Sequence, residues 1–281
     1  MYKYIYARID FKDNVEYFLK MNNQTQFIPD GLELDKYMRY NQVRNKRIYY
    51  HDNDNYIGNE IRQGKYWESW MFEYIQKYYV PGKNMIDIGA NIGTTSLMME
   101  EVLSEGCKIY AFEPVYNNIT FTNIVQNGKQ DRITLYPIGL GDEDCEMDVN
   151  IFPPDEKENY GGMCLLRHCI SKTPLSEACT NNCIKEVSNN HTKKISIRKL
   201  DHFNFENVCL IKMDVEDMEM FVLSGGIKTI IKNKPVIFLE IRQNMYDIIT
   251  KSDIFLKLVD IGYTMDWLPY GCDDYVLFIR E

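Results

Sequence analysis

The 281-residue chain has no apolar run long enough to cross a bilayer, which argues against a membrane-spanning helix. Its first residues, MYKYIYARIDF, carry charges inside their apolar run and offer no small-residue cleavage site. They do not read as a signal peptide, and an intracellular, cytoplasmic protein is expected. Positive charge is in short supply: 32 Lys and Arg stand against 41 Asp and Glu, a net charge of -9. A broad electrostatic grip on nucleic acid needs clustered cations, so nucleic acid is a disfavoured partner and only a local basic groove would revive it. There is no internal repeat.

What is present is an alternation of strand and helix signals. The polar, Tyr- and Asn-rich residues 1–60 read as an N-terminal extension, partly helical. Residues 61–281 read as one domain. In YWESWMFEYIQKYY, Trp67, Trp70, Met71, Tyr74 and Tyr78 fall at helical spacing. MIDIG, KIYAFEP, ITLYPIG, VCLIKMDV and PVIFLEIR read as strands. TTSLMMEEVLSE, VYNNITFTNIVQNG, EMFVLSGGIKTIIKN and SDIFLKLVDIG read as helices between or after them. CEMDVNIF is a possible added antiparallel strand, and YTMDWL with DYVLFIR a closing hairpin. This order predicts an α/β fold, a mostly parallel, doubly wound sheet with a terminal antiparallel hairpin. A polar, turn-rich insertion interrupts it at about 152–194.

The stretch MIDIGANIGTTSL places Asp87, Gly89, Asn91 and Gly93 at every second position across one strand-to-helix turn. Ligands of open α/β sheets bind beyond the carboxyl ends of the strands, where this turn lies. Gly89 suits a tight turn and Gly93 a close helix approach. Asp87, near the strand end, is expected to reach the crevice. Asn91 at the middle position crowds a pyrophosphate, which disfavours NAD and a nicotinamide oxidoreductase. The next strand ends in Glu113, placed to accept hydrogen bonds from ribose hydroxyls. Together these features favour S-adenosylmethionine (SAM) as cofactor.

Four stretches, MIDIGANIGTTSL, YAFEPVYNN, LIKMDVEDMEMFVLSGG and KPVIFLEIR, together resemble the FkbM-type SAM-dependent methyltransferases over roughly residues 64–245. The resemblance implies a Rossmann-like class I methyltransferase fold. It implies that Asp87, Gly89, Ala90, Asn91 and Gly93 surround the methionine part of SAM. Glu113 and the adjoining Pro114 would hold the ribose, and Ile138 and Gly139 would flank the adenine. Glu68, in GKYWES, would lie near the cofactor. Asp217 stands where the family usually has glycine.

Methyl transfer to an alcohol, whose pKa is roughly 16, gains from a general base. Lys212 and Asp214 are two apart on a strand and share a side. Asp214 is the first candidate for the base and also faces the donor, Lys212 would keep it ionised, and Glu240 at the end of the next strand could reach the same crevice or pair with Arg242 or Lys212. Glu216 and Glu219 open the following helix, where carboxylates suit the dipole. His202 reads as a surface loop residue or a base, and His51, His168 and His191 lie in polar stretches. Cys164, Cys169, Cys179 and Cys183 have an irregular C-x4-C-x9-C-x3-C spacing, so no metal site is assigned. Cys164 could line a pocket, while Cys107 and Cys209 read as buried thiols.

The function expected is a SAM-dependent O-methyltransferase acting on a hydroxyl of a sugar, glycan or other small acceptor. The alternatives are an RNA ribose 2'-O-methyltransferase, which the acidic charge disfavours, and a catalytically inactive SAM-binding protein.

Overall fold

The computed structural model describes residues 37–165, 191–243, 245–270 and 273–279. A seven-stranded sheet is its frame. Five parallel strands run β10(Val236–Glu240), β9(Val208–Met213), β3(Asn84–Ile88), β4(Ile109–Phe112), β5(Ile133–Tyr136). The closing hairpin extends it: β12(Asp274–Ile279) pairs antiparallel with β10, and β11(Tyr263–Trp267) takes the edge beyond it. The parallel core strands carry near-continuous apolar runs because helices cover both faces. In β9, VCLIKM, every residue is buried.

Alternation along these strands divides the core in two. Met85, Leu210 and Phe238 face one layer, with α3(Thr94–Glu100), α4(Asn117–Gln126) and α2(Met71–Tyr78). Ile86, Ile88, Ile211, Met213 and Leu239 face the other, with α5(Glu219–Gly225), α6(Ile227–Asn233), α7(Tyr246–Thr250) and α8(Asp253–Asp260). The single helix expected over EMFVLSGGIKTIIKN is broken into α5 and α6 at Gly225 and Gly226. A side chain at Gly225 would collide with the Gly141 carbonyl, so this contact requires the glycine.

Two smaller sheets complete the chain. β7(Cys145–Asn150), the expected added strand, pairs antiparallel with β8(Thr192–Arg198), and β8 also pairs with the two-residue β6(Gly139–Leu140). Strand β8 was not expected. Its short alternation, with Ile195 and Ile197 buried, sits just past the insertion. Cys164 packs with these isoleucines, Met147 and Met218 and does not line the cleft, which corrects its expected place. Cys169, Cys179, Cys183 and His168 lie outside the described residues.

The described part of the N-terminal segment opens on a hairpin, β1(Met38–Val43) paired with β2(Lys46–His51), and α1(Ile57–Arg62) follows; residues 1–36 lie outside the described residues. The hairpin shares the main core, with Ile48 fully buried. Asn123 of α4 ties it down, accepting from the Tyr49 amide at 2.6 Å and donating to the Tyr49 carbonyl at 2.9 Å. No helix among the described residues is long and apolar enough to cross a membrane.

Candidate active site

Strand register assembles the charged row. Asp87 on β3 is paired with Lys212 on β9, and Lys212 with Phe238 on β10. Side chains two residues apart share a face, so Asp214 and Glu240, just beyond, project on that same face. Glu240 in turn lies opposite Asp274 on β12. Four acids and one lysine thus converge at the carboxyl ends of the central strands. Lys212 is almost wholly buried, and its Nζ reaches the Gly89 carbonyl at 2.9 Å, Asp214 at 3.3 Å and Asp87 at 3.8 Å.

The β3–α3 turn fits over this row. Gly89 has φ +77°, and a side chain there would collide with the Asp214 carbonyl, so glycine lets β9 and the turn meet. Asn91 also takes a left-handed conformation, φ +49°, which asparagine tolerates. Its amide donates to Glu113 Oε2 at 2.8 Å. Glu113 Oε1 accepts from the Val115 and Tyr116 amides at 2.7 and 2.9 Å. Oε1 is therefore filled, and Oε2 keeps one lone pair for a hydroxyl donor.

A cleft of about 270 Å³ opens above the turn. Gly89, Ala90, Asn91, Glu113, Pro114, Ile138, Gly139, Asp214, Lys212, Glu240 and Glu68 line it. Asp87 and Gly93 do not. Asp87 is wholly buried beneath the turn, where Ser96 Oγ donates to it at 2.5 Å and Lys212 faces it. Its expected contact with the methionine part is corrected accordingly: a register neighbour 125 positions away claims the carboxylate. Gly93 instead abuts Thr120 of α4.

The turn after β9 is held from outside. Glu216 and Asp217 are consecutive left-handed residues, φ +55° and +77°, and neither is glycine. Arg242, two residues past β10, pairs with both, reaching Asp217 at 3.1 Å. Asp217 is buried, so its charge depends on such pairing. Arg242→Gln is expected to lower stability by roughly 1–3 kcal/mol in a urea melt, because a buried acid loses a partner. Adding Asp217→Gly should recover part of that loss, since glycine suits φ +77° and brings no charge. A double variant less stable than Arg242→Gln would contradict the pairing.

A family model described as the methyltransferase FkbM domain matches residues 87–268. The chain belongs to this family. It is 28% identical over 151 residues to Methyltransferase 1 of Beauveria bassiana (strain ARSEF 2860), a match covering 50% of this chain and 57% of that protein. Among solved structures it is similar to the methyltransferase FkbM from Methylobacillus flagellatus KT, with 18% identity, a TM-score of 0.45, and coverage of 75% of this chain and 51% of that one. It is also similar to the O-methyltransferase from Bacillus cereus in complex with SAH, with 12% identity, a TM-score of 0.41, and coverage of 96% and 92%. The chain thus spans little more than half the length of the curated relative and of the first of these structures.

The cofactor of this FkbM methyltransferase domain is SAM, and the cleft fits it. Glu68, Glu113, Asp214, Glu216 and Glu240 line the cleft, against Lys212 as the single cation among the described lining residues. The ionised Asp214 carboxylate and the acceptor oxygens of the other acids suit a ligand carrying a sulfonium and an ammonium. Tyr116, a lining residue that sequence reasoning passed over, has a buried hydroxyl with no hydrogen-bond partner among the described residues and so offers a further polar contact. Its only sequence signal is its place three residues after Glu113.

Protonation follows from crowding. Asp214 and Glu240 are hydrogen-bonded neighbours. Burial and the Asp214 charge hold Glu240 well above the usual carboxylate range, so it keeps its proton. Burial acts on Asp214 too, but the Lys212 ammonium and hydrogen bonds from Glu240 and Lys212 outweigh it and keep Asp214 low. Lys212 is raised despite burial by Asp214, Asp87 and Glu68. Burial, with Asp274 and Asp214, pushes Glu68 up to about 8. Asp214, Glu216 and Glu240 present oxygens within 4.8 Å of one another, a spacing a cation could use, but Lys212, Arg242 and the retained proton already meet their charge.

Glu219 is buried at the start of α5 and accepts from the Val215 amide at 3.1 Å. It is a helix-start acid turned inward, not a solvated one. Burial pushes it up to about 8 from 4.5. The folded state therefore keeps a proton that the unfolded chain releases above 4.5, and stability falls as pH rises from there to about 8. Glu219→Gln should flatten this fall by an amount of the order of a few kcal/mol in denaturant melts at pH 5 and 8. Identical pH slopes in the two proteins would contradict it.

The remaining candidates lie away from the cleft. His202 is on the surface, 3.4 Å from Asp144. His51, expected in a polar stretch, is buried and stacks on Tyr160 with centroids 4.5 Å apart. Cys107 and Cys209 are buried thiols.

Proposed function

We propose that this chain is a SAM-dependent O-methyltransferase whose acceptor is a hydroxyl of a sugar, glycan or other small molecule. The observation that carries the reading is the Lys212–Asp214–Glu240 row: an ionised carboxylate facing the cleft, between a buried ammonium and a carboxylic acid. When bound, SAM supplies an electrophilic methyl group. Asp214 then accepts the hydrogen bond of the acceptor hydroxyl and takes its proton as the methyl moves. Lys212 keeps its charge throughout and holds Asp214 ionised beforehand. Glu240 donates to Asp214 and fixes the oxygen that faces the acceptor. Alignment of the hydroxyl by these groups supplies part of the acceleration, and the base a further factor of about 10²–10⁴.

The cleft gives an RNA acceptor little to hold. Lys212 is already engaged by Asp87, Asp214 and the Gly89 carbonyl. No further lysine or arginine lines the cleft among the described residues to meet a phosphate.

The test is a transfer screen with methyl-labelled SAM against glycosides, small alcohols, amines and RNA, read by mass spectrometry. The reading expects ether-linked label on a neutral hydroxyl compound. Label on an amine or on RNA would contradict it, and SAM binding without transfer to any compound would favour the inactive binding protein.

A further inference from the structure

The cleft has a wall that neither the donor turn nor the charged row accounts for. Two segments far apart in sequence build it, residues 51–67 and 153–163. They are joined by backbone: the Asn55 amide donates to the Glu158 carbonyl at 3.1 Å, and the Glu158 amide to the Asn53 carbonyl at 3.2 Å. Asn53 Nδ2 adds a bond to the Pro154 carbonyl at 2.9 Å, and the His51 ring lies on Tyr160. The wall is therefore a built surface rather than two loose additions.

Tyr56 is set into it. Buried Asp54 accepts from the Tyr56 amide at 2.9 Å and fixes the entry to α1. Tyr56 stays half in solvent, 51% exposed as a residue, although it lines the cleft. Trp67 meets it edge-on, with centroids 6.3 Å apart and an interplanar angle of 76°. Both rings lie before residue 87, outside the range that matches the family. The floor beyond them is the acid row, with no free cation among the described lining residues.

We propose that Tyr56 and Trp67 form the acceptor subsite, which takes an uncharged molecule by a flat apolar face and leaves its hydroxyl toward Asp214. This rests on the methyltransferase reading above. Aromatic rings at right angles make a corner for such a face, which a pyranose ring offers through its C–H groups and an aryl ring through its π surface. An anionic acceptor would find no free cation among the described lining residues, because Lys212 is already engaged by Asp87 and Asp214.

The chain has three tryptophans, so Trp70→Phe with Trp267→Phe leaves Trp67 as the sole reporter. That full-length protein, saturated with S-adenosylhomocysteine, is titrated with methyl β-glucopyranoside, benzyl alcohol, glucose 6-phosphate and benzoate while Trp67 emission is followed. A saturable shift with a neutral probe, absent with its charged counterpart, is expected, and whichever neutral probe shifts it names the ring. Tyr56→Ala should weaken that probe about tenfold, with S-adenosylhomocysteine affinity unchanged and Tyr56→Phe near wild type. No shift with either neutral probe, equal shifts with the charged ones, or an unaffected Tyr56→Ala would overturn the subsite. Failure of the underlying reading shows separately, as loss of S-adenosylhomocysteine binding in the wild-type chain.

Discussion

Asparagine at position 214 should lower methyl transfer by about 10²–10⁴-fold, the usual worth of a general base, and leave the affinity for S-adenosylhomocysteine within its original order of magnitude. The substitution keeps the shape and a carbonyl oxygen for Lys212, so the buried ammonium retains a partner there as well as at Asp87. What it removes is the ionised group facing the acceptor. It also removes the charge that holds the proton on Glu240. Glu240 then ionises closer to its ordinary range and becomes the next base in line. The residual activity of Asp214→Asn should therefore fall further in Asp214→Asn/Glu240→Gln, and the two effects should not simply add. Release of S-adenosylhomocysteine in single-turnover assays measures both. A fully active Asp214→Asn variant would remove this residue from the chemistry.

The second large effect is on binding. Glu113→Ala should weaken SAM and S-adenosylhomocysteine together by about tenfold to a hundredfold, the worth of one hydrogen bond to a charged group. The loss is twofold in origin. Oε2 no longer takes a ribose hydroxyl, and the Asn91, Val115 and Tyr116 amides lose the carboxylate that shapes the turn. Those amides border the cleft, where water can replace the carboxylate, so the fold should persist by circular dichroism. Glu113→Gln should fall between the two, because one end of its amide would face an amide donor. Unchanged affinity in Glu113→Ala would refute the ribose assignment.

The parts of the site legible in the sequence are the local ones. The β3–α3 turn and the Glu113 strand end declare themselves through spacing within a few residues, and Lys212 and Asp214 through alternation along one strand. What escaped depends on neighbours distant in the chain. Asp87 looks cleft-facing from its own strand, yet Lys212 on the adjacent strand draws it below the turn. The α5–α6 break follows from contact with Gly141, which no helical pattern in EMFVLSGGIKTIIKN announces. Glu240 could as well have paired with Arg242. Register puts it on Asp214 and leaves Arg242 to Glu216 and Asp217. The wall carrying Tyr56 was hidden because its two halves are about 100 residues apart and polar in composition.

Calorimetric titration of the wild-type chain with SAM, S-adenosylhomocysteine and NAD tests the central claim most directly. Saturable binding of the first two, with no heat from NAD, is the result this site predicts. NAD binding, or no binding of either adenosyl compound, would contradict it.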